Sequence, residues 1–167
     1  MFSTTFPIEI RESKGGLTPI KGIVNREGIL NFQHFLAQFP QGDYPLKHHF
    51  AEGQYGREIL IAANNLVVGK IHKHSHLNII SQGECTVVTE FGSYRIKAPY
   101  TFVSLPGTKR ALFTHSETIW TTVHVTDKTD LQEIEDEIIA PTFDDYDAFA
   151  HQIVLAMKPE LDDSWGV

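Results

Sequence analysis

Between Tyr55 and Thr126, apolar and polar residues alternate in short runs rich in Ile, Val, Thr, Phe and Tyr, the period of two that a half-buried strand imposes. The pattern predicts eight strands, over 57–62, 66–72, 76–81, 85–90, 93–96, 101–104, 110–114 and 119–126. Turn signals separate them: Asn64-Asn65, Gly83-Glu84, Phe91-Gly92, Ala98-Pro99, Pro106-Gly107 and His115-Ser116-Glu117. Connections this short suit hairpins. A parallel sheet would need a helix between successive strands, so the expected architecture is an antiparallel sandwich or barrel.

Helical periodicity flanks this region. From about residue 26 to 38, Ile29, Phe32, Phe35, Leu36 and Phe39 recur at three and four residues, with Asn25 as N-cap and Pro40 as the stop; Gly15-Gly16 and Pro19 break the chain before it. The Phe-rich stripe predicts a helix packed on the sheets. Leu131, Ile134 and Ile138 mark a second helix behind Thr129, whose spacing to Gln132 fits a capping box. After Pro141, Tyr146, Phe149, Ile153 and Met157 mark a third, opened by Asp144 or Asp145 and closed near Pro159; the end beyond it reads as frayed unless Trp165 pins it. The expectation is one domain over 1–167: an N-terminal arm and helix (1–54), a β region (55–126) and a helical tail (127–167).

Composition narrows the class. With 167 residues, 41% of them hydrophobic, the chain can bury one core, and 21% charged residues at a mean hydropathy of -0.18 exclude general disorder. No apolar stretch approaches the ~20 residues of a membrane span, and Met1 to Ile10 lacks a secretory pattern, so a soluble intracellular protein without a membrane partner is expected. The lone Cys85 permits no internal disulfide and no thiolate cluster, which leaves nitrogen and oxygen as metal ligands. Acidity is concentrated at the end: residues 128–167 carry 2 basic and 11 acidic side chains, against 12 and 10 before them. That tail disfavours nucleic acid as a partner and reads best as a solvated helical face.

The densest chemistry is His72-Lys73-His74-Ser75-His76. In an extended strand the three imidazoles would share one face while Lys73 and Ser75 take the other, a comb able to ligate Zn, Fe, Ni, Mn or Cu. An exposed polar strand edge would give the same spacing. Gly69 opens this segment, and Leu77-Asn78-Ile79-Ile80-Ser81-Gln82-Gly83-Glu84 follows it. Downstream, Pro106-Gly107-Thr108-Lys109-Arg110 leads into a strand that turns at His115. Together these resemble the two motifs of the cupin superfamily, small jelly-roll barrels that hold one metal between a histidine-and-carboxylate motif and a second motif ending in histidine. The resemblance implies a mostly β, cupin-like jelly-roll barrel with one N-terminal and two C-terminal helices. It departs at two positions: His76 stands where the first motif has a carboxylate, and Arg110 where the second has histidine. On this comparison His72, His74 and His76 supply ligands and His124, on the last strand, offers another, with His115 too far along its strand.

Other residues carry two readings each. Arg110 can clamp a ligand carboxylate or phosphate, or pair with Glu58, Glu84 or Glu117. Asn78 shares parity with the histidines and can orient a ring nitrogen. Trp120 is pocket wall or core, one of His48 and His49 faces inward, and His34 and His151 sit on polar helix faces. No nucleophile elbow, Walker loop or dinucleotide fingerprint is present, and Asp144-Asp145 with Asp147 lacks the glycine and closing glutamate of a calcium loop.

The wording from Tyr55-Gly56-Arg57-Glu58-Ile59 through Gly69-Lys70-Ile71-His72 to Trp120-Thr121-Thr122-Val123-His124 also resembles a family of short proteins of tailed phages with no established activity. That resemblance implies a host-cytoplasm setting, with virion association as the variant. Two functions are thereby expected. One is a metal-binding small-molecule lyase, isomerase or oxygenase; the other is a non-enzymatic module for a phage or host protein partner. Exposed edge strands would favour a homodimer.

Overall fold

The computed structural model describes residues 16–20 and 24–157. In chain order the elements are β1 (Gly16–Ile20), α1 (Arg26–Leu36), β2 (Leu46–Ala51), β3 (Gln54–Ile61), β4 (Leu66–Val68), β5 (Ile71–His72), β6 (His76–Gln82), β7 (Glu84–Thr89), β8 (Gly92–Lys97), β9 (Tyr100–Ser104), β10 (Arg110–Thr114), β11 (Thr118–Val125), α2 (Leu131–Ile138), β12 (Ile139–Ala140) and α3 (Phe143–Met157). Two five-stranded sheets form, β1-β8-β7-β10-β4 and β2-β3-β11-β6-β9, and every pairing is antiparallel. Without the outer β1 and β2, the strand orders are 8-7-10-4 and 3-11-6-9, the pairing of a double-sheet jelly roll. No helix interrupts residues 57–126, as the turn signals predict.

Alternation builds the core between the sheets. Ile61, Ile80 and Trp120 from one sheet meet Cys85, Val87, Ile96 and Leu112 from the other. The β6–β7 connection needs glycine: Gly83 has φ +93°, and a Cβ there would lie 2.2 Å from the Glu117 carbonyl oxygen.

Three of these expectations are corrected first. The predicted strand 66–72 breaks at Gly69-Lys70 into β4, which pairs with β10, and β5, which pairs with the two residues of β12. Residues 73–75 bend, so the histidine comb is not one extended strand. In α1, Asn25 caps as predicted, accepting from Gly28 N at 2.8 Å, but the stripe is packed only in part: Ile29 is 1% exposed whereas Phe35 and Phe39 are 52% and 51%. Arg26 holds that helix instead, bonding Glu90 and Asp147 and lying 4.4 Å over the Phe143 ring.

The caps differ too. Asp130, not Thr129, caps α2, accepting from Gln132 N and Glu133 N at 3.0 Å each. Thr142 opens α3 in a reciprocal box: its hydroxyl accepts from Asp145 N at 3.1 Å while the Asp145 carboxylate accepts from Thr142 N at 3.0 Å. Ile134 and Ile138 are buried as expected, beside Tyr55, whereas Leu131 and Ile153 are exposed. Gly15, Pro159, Trp165 and the Met157 side chain lie outside the described residues. Among those described, no helix is long and apolar enough to cross a membrane.

Candidate metal centre

Three strands bring one histidine each to the same point. β5 ends at His72, β6 begins at His76 after the bend, and β11 presents His124 from the middle of the β2–β9 sheet. One ligand nitrogen from each lies within 4.8 Å of the others. His72 Nδ1 and His76 Nε2 share a hydrogen bond of 2.8 Å, and the ring centroids stand 4.1 Å (His72 to His76), 4.6 Å (His76 to His124) and 5.0 Å (His72 to His124) apart. Metal–imidazole bonds of ~2.0–2.1 Å place two ligands of one ion roughly 3 Å apart, so small side-chain rotations would seat a divalent ion.

Protonation agrees with that use. Burial depresses all three imidazoles, His76 to about 3, His124 to about 4 and His72 further still, with the cationic neighbours adding to it. They are therefore neutral at physiological pH, the form that ligates. The thiol of buried Cys85 is pushed up to about 12, chiefly by desolvation, which leaves the donor set all-nitrogen.

His74 takes another position. Its side chain is exposed and packs edge-on against Phe149 at 5.3 Å, outside the cluster. Only its carbonyl oxygen serves the site, accepting from His76 Nδ1 at 3.2 Å, which points Nε2 of that ring toward His72.

His72 and His124 line a cavity of about 370 Å³ that opens between the sheets and is covered by α2. Tyr55, Arg57, Ile59 and Ile61 reach it from β3 by simple alternation. Tyr55 stacks toward His124 at 6.4 Å and shares a 2.7 Å hydrogen bond with His48 Nδ1; burial raises its phenol pKa, so it stays protonated. His48 is thus the inward member of its pair, and His49 faces Glu58 on the outside at 3.5 Å. The predicted strand began at Arg57, one alternation too late to include Tyr55, although stepping back by two from Ile61 would have reached it.

Arg110, Asn78 and Trp120 form one buried polar chain. Trp120 Nε1 donates to Asn78 Oδ1 at 3.0 Å, Asn78 Nδ2 donates to Ser104 Oγ at 2.7 Å, and Arg110 Nη2 donates to the same Ser104 oxygen. Asn78 therefore orients Trp120 and Ser104 rather than a histidine ring. None of the expected glutamates reaches Arg110: Glu58 pairs with Lys47, Glu84 with Arg95, and Glu117 accepts from Gln82. His115 bonds Thr86 away from the cluster, at 2.8 Å.

No family model matches the chain. No curated protein matches it either. Solved structures with partial likeness are cupin-type proteins among others. An ectoine synthase from P. lautus aligns at TM-score 0.49 and 16% identity, over 62% of this chain and 79% of that one. A putative ethanolamine utilization protein Q from Salmonella typhimurium aligns at 0.45 and 12%, over 65% and 85%. A cupin-2 domain protein from Shewanella frigidimarina aligns at 0.42 and 11%, over 57% and 93%. The chemistry of the site rests on its own residues.

Proposed function

We propose that this chain is a cupin-type metal protein in which His72, His76 and His124 hold one divalent ion, Zn, Fe, Ni or Mn, beside a cavity that takes a small molecule. The observation that carries the reading is the convergence of three neutral imidazoles, two buried and one half-buried, within 4.8 Å of one another, with His72 and His124 on a cavity wall. A bound ion would supply Lewis acidity for a lyase or isomerase reaction, or redox chemistry for an oxygenase. Arg110 and Trp120 line the same cavity and would orient the ligand, with Asn78 fixing the indole. On the sequence resemblance alone, its setting is the host cytoplasm of a tailed phage.

Elemental analysis of protein purified without chelator tests this. Near-stoichiometric metal is expected in the wild type, with none in His76→Ala and His124→Ala variants that remain folded. Wild-type protein free of metal, and not stabilised against heat by added Zn, Ni, Mn or Fe(II), refutes it. The second reading, an interaction module, draws on the exposed Phe35 and Phe39 of α1 and on Val103 and Leu105 beside the β9 edge. The same metal-free result would favour it.

A further inference from the structure

The cavity walls carry two guanidinium groups with no carboxylate partner among the described residues. Arg110 comes from β10 in one sheet and Arg57 from β3 in the other, so they enter from facing walls, which in packed sheets stand ~10 Å apart. Arg110 is 7% exposed, and its Nε is buried without an acceptor. Among the described residues its side chain hydrogen-bonds the Ser104 hydroxyl alone, and its Cζ lies 5.6 Å from the Trp120 ring centroid. Among the described residues, Arg57 has neither ion pair nor side-chain hydrogen bond. The one acid lining the cavity, Glu135, is taken by Lys70. Two guanidinium charges therefore face a space whose other walls are largely apolar. A folded protein keeps a buried unpaired cation where something else supplies the opposite charge.

We infer that the cavity binds a small dicarboxylate, one carboxylate on Arg110 and the other on Arg57, with its hydrocarbon middle against Ile59, Val67, Leu112 and Ile138. This rests on reading the cavity as a ligand site. It does not require the metal. Planar guanidinium forks match carboxylates two bonds at a time, and cations on opposite walls with an apolar gap fit a molecule charged at both ends. A single compact phosphate would meet a guanidinium on one wall and leave the one on the facing wall unpaired. At about 30 Å³ per water, the cavity of about 370 Å³ has room for a diacid of roughly four to six carbons.

Titration calorimetry on the full chain tests the assignment, once after EDTA treatment and once after Zn loading. The probes are malonate, succinate, glutarate and adipate, with butyrate, succinamide and inorganic phosphate for comparison. At least one diacid should bind the metal-free protein about tenfold or more tighter than butyrate, succinamide and phosphate, a gap of one paired charge or more. Arg57→Gln and Arg110→Gln should each weaken that diacid about tenfold without changing Zn stoichiometry. Should Arg110→Gln fail to fold, the half-buried Arg57→Gln and the wild-type preference for diacid over diamide still decide. The inference is overturned if no diacid binds, if butyrate or phosphate binds as tightly, or if Arg57→Gln binds like wild type. Diacid binding without metal binding would sink the metal proposal alone, and metal binding without diacid binding would sink this one alone.

Discussion

Between pH 7 and pH 5 an exposed three-histidine site loses its metal, because protons compete for the imidazole nitrogens. With an ordinary pKa of ~6.5, the neutral fraction of one imidazole falls from about 0.76 to about 0.03 over that range, so three together would lose about 10⁴ in affinity. Here burial holds His76 near about 3, His124 near about 4 and His72 lower, so at pH 5 all three remain about nine-tenths neutral or more. Zn affinity should therefore fall less than about twofold between pH 7 and pH 5, measured by calorimetry in a non-coordinating buffer. Stability of the metal-free protein should move the other way. The unfolded chain takes up protons near pH 6.5 and the folded one does not until about pH 4 or below, so stability is full above pH 6.5 and drains as pH falls. At pH 5 the loss is about 2 kcal/mol for each imidazole. A hundredfold drop in Zn affinity by pH 5, or a melting temperature that stays flat from pH 7 to pH 5 without metal, would refute the burial argument.

Other outcomes follow from single contacts. His74→Ala should keep its metal by elemental analysis while His76→Ala loses it, since His74 contributes a carbonyl and not a ring. Asn78→Ala should lower stability by about 2–4 kcal/mol, read as an earlier urea midpoint at unchanged slope, because Trp120 Nε1 and the Ser104 hydroxyl each lose a buried partner. Deleting residues 142–167 removes buried Phe143 from its packing on Ile71 and Ala140. It should lower the melting temperature by about 3–12 °C, and an unchanged transition would mean that α3 is an independent arm.

The strands were legible because each has one buried face. β10 spans the predicted residues, and six of the other seven predicted strands differ mainly at their ends. What a period-two pattern cannot show is where a strand runs out of partner. β5 stops at His72 because only the two residues of β12 pair with it, and the resulting bend swings His74 away from His72 and His76. β2 was missed because all six of its residues are exposed, leaving no hydrophobic alternation to read. Helical spacing announced the apolar stripe of α1 but not whether anything covers it. The environment of Arg110 was illegible for a related reason: its nearby glutamates are satisfied by Arg95, Lys47 and Gln82, choices made by the fold and not by sequence distance.

The backbone of His72 is held almost entirely by residues made later. Ile139 is its ladder partner, Lys73 N bonds the Ile138 carbonyl at 2.8 Å, and Gly107 N bonds the His72 carbonyl at 2.8 Å, with Tyr146 of α3 packed close over that glycine. A nascent chain that has exposed His72, His76 and His124 still lacks the strand that fixes the first of them. The three nitrogens take their final spacing only when residues 138–140 dock, so the centre matures after that segment has been made rather than with the sheets. An ion bound there would act as a clasp on this later-made segment, and metal content would report how much of a preparation has docked it.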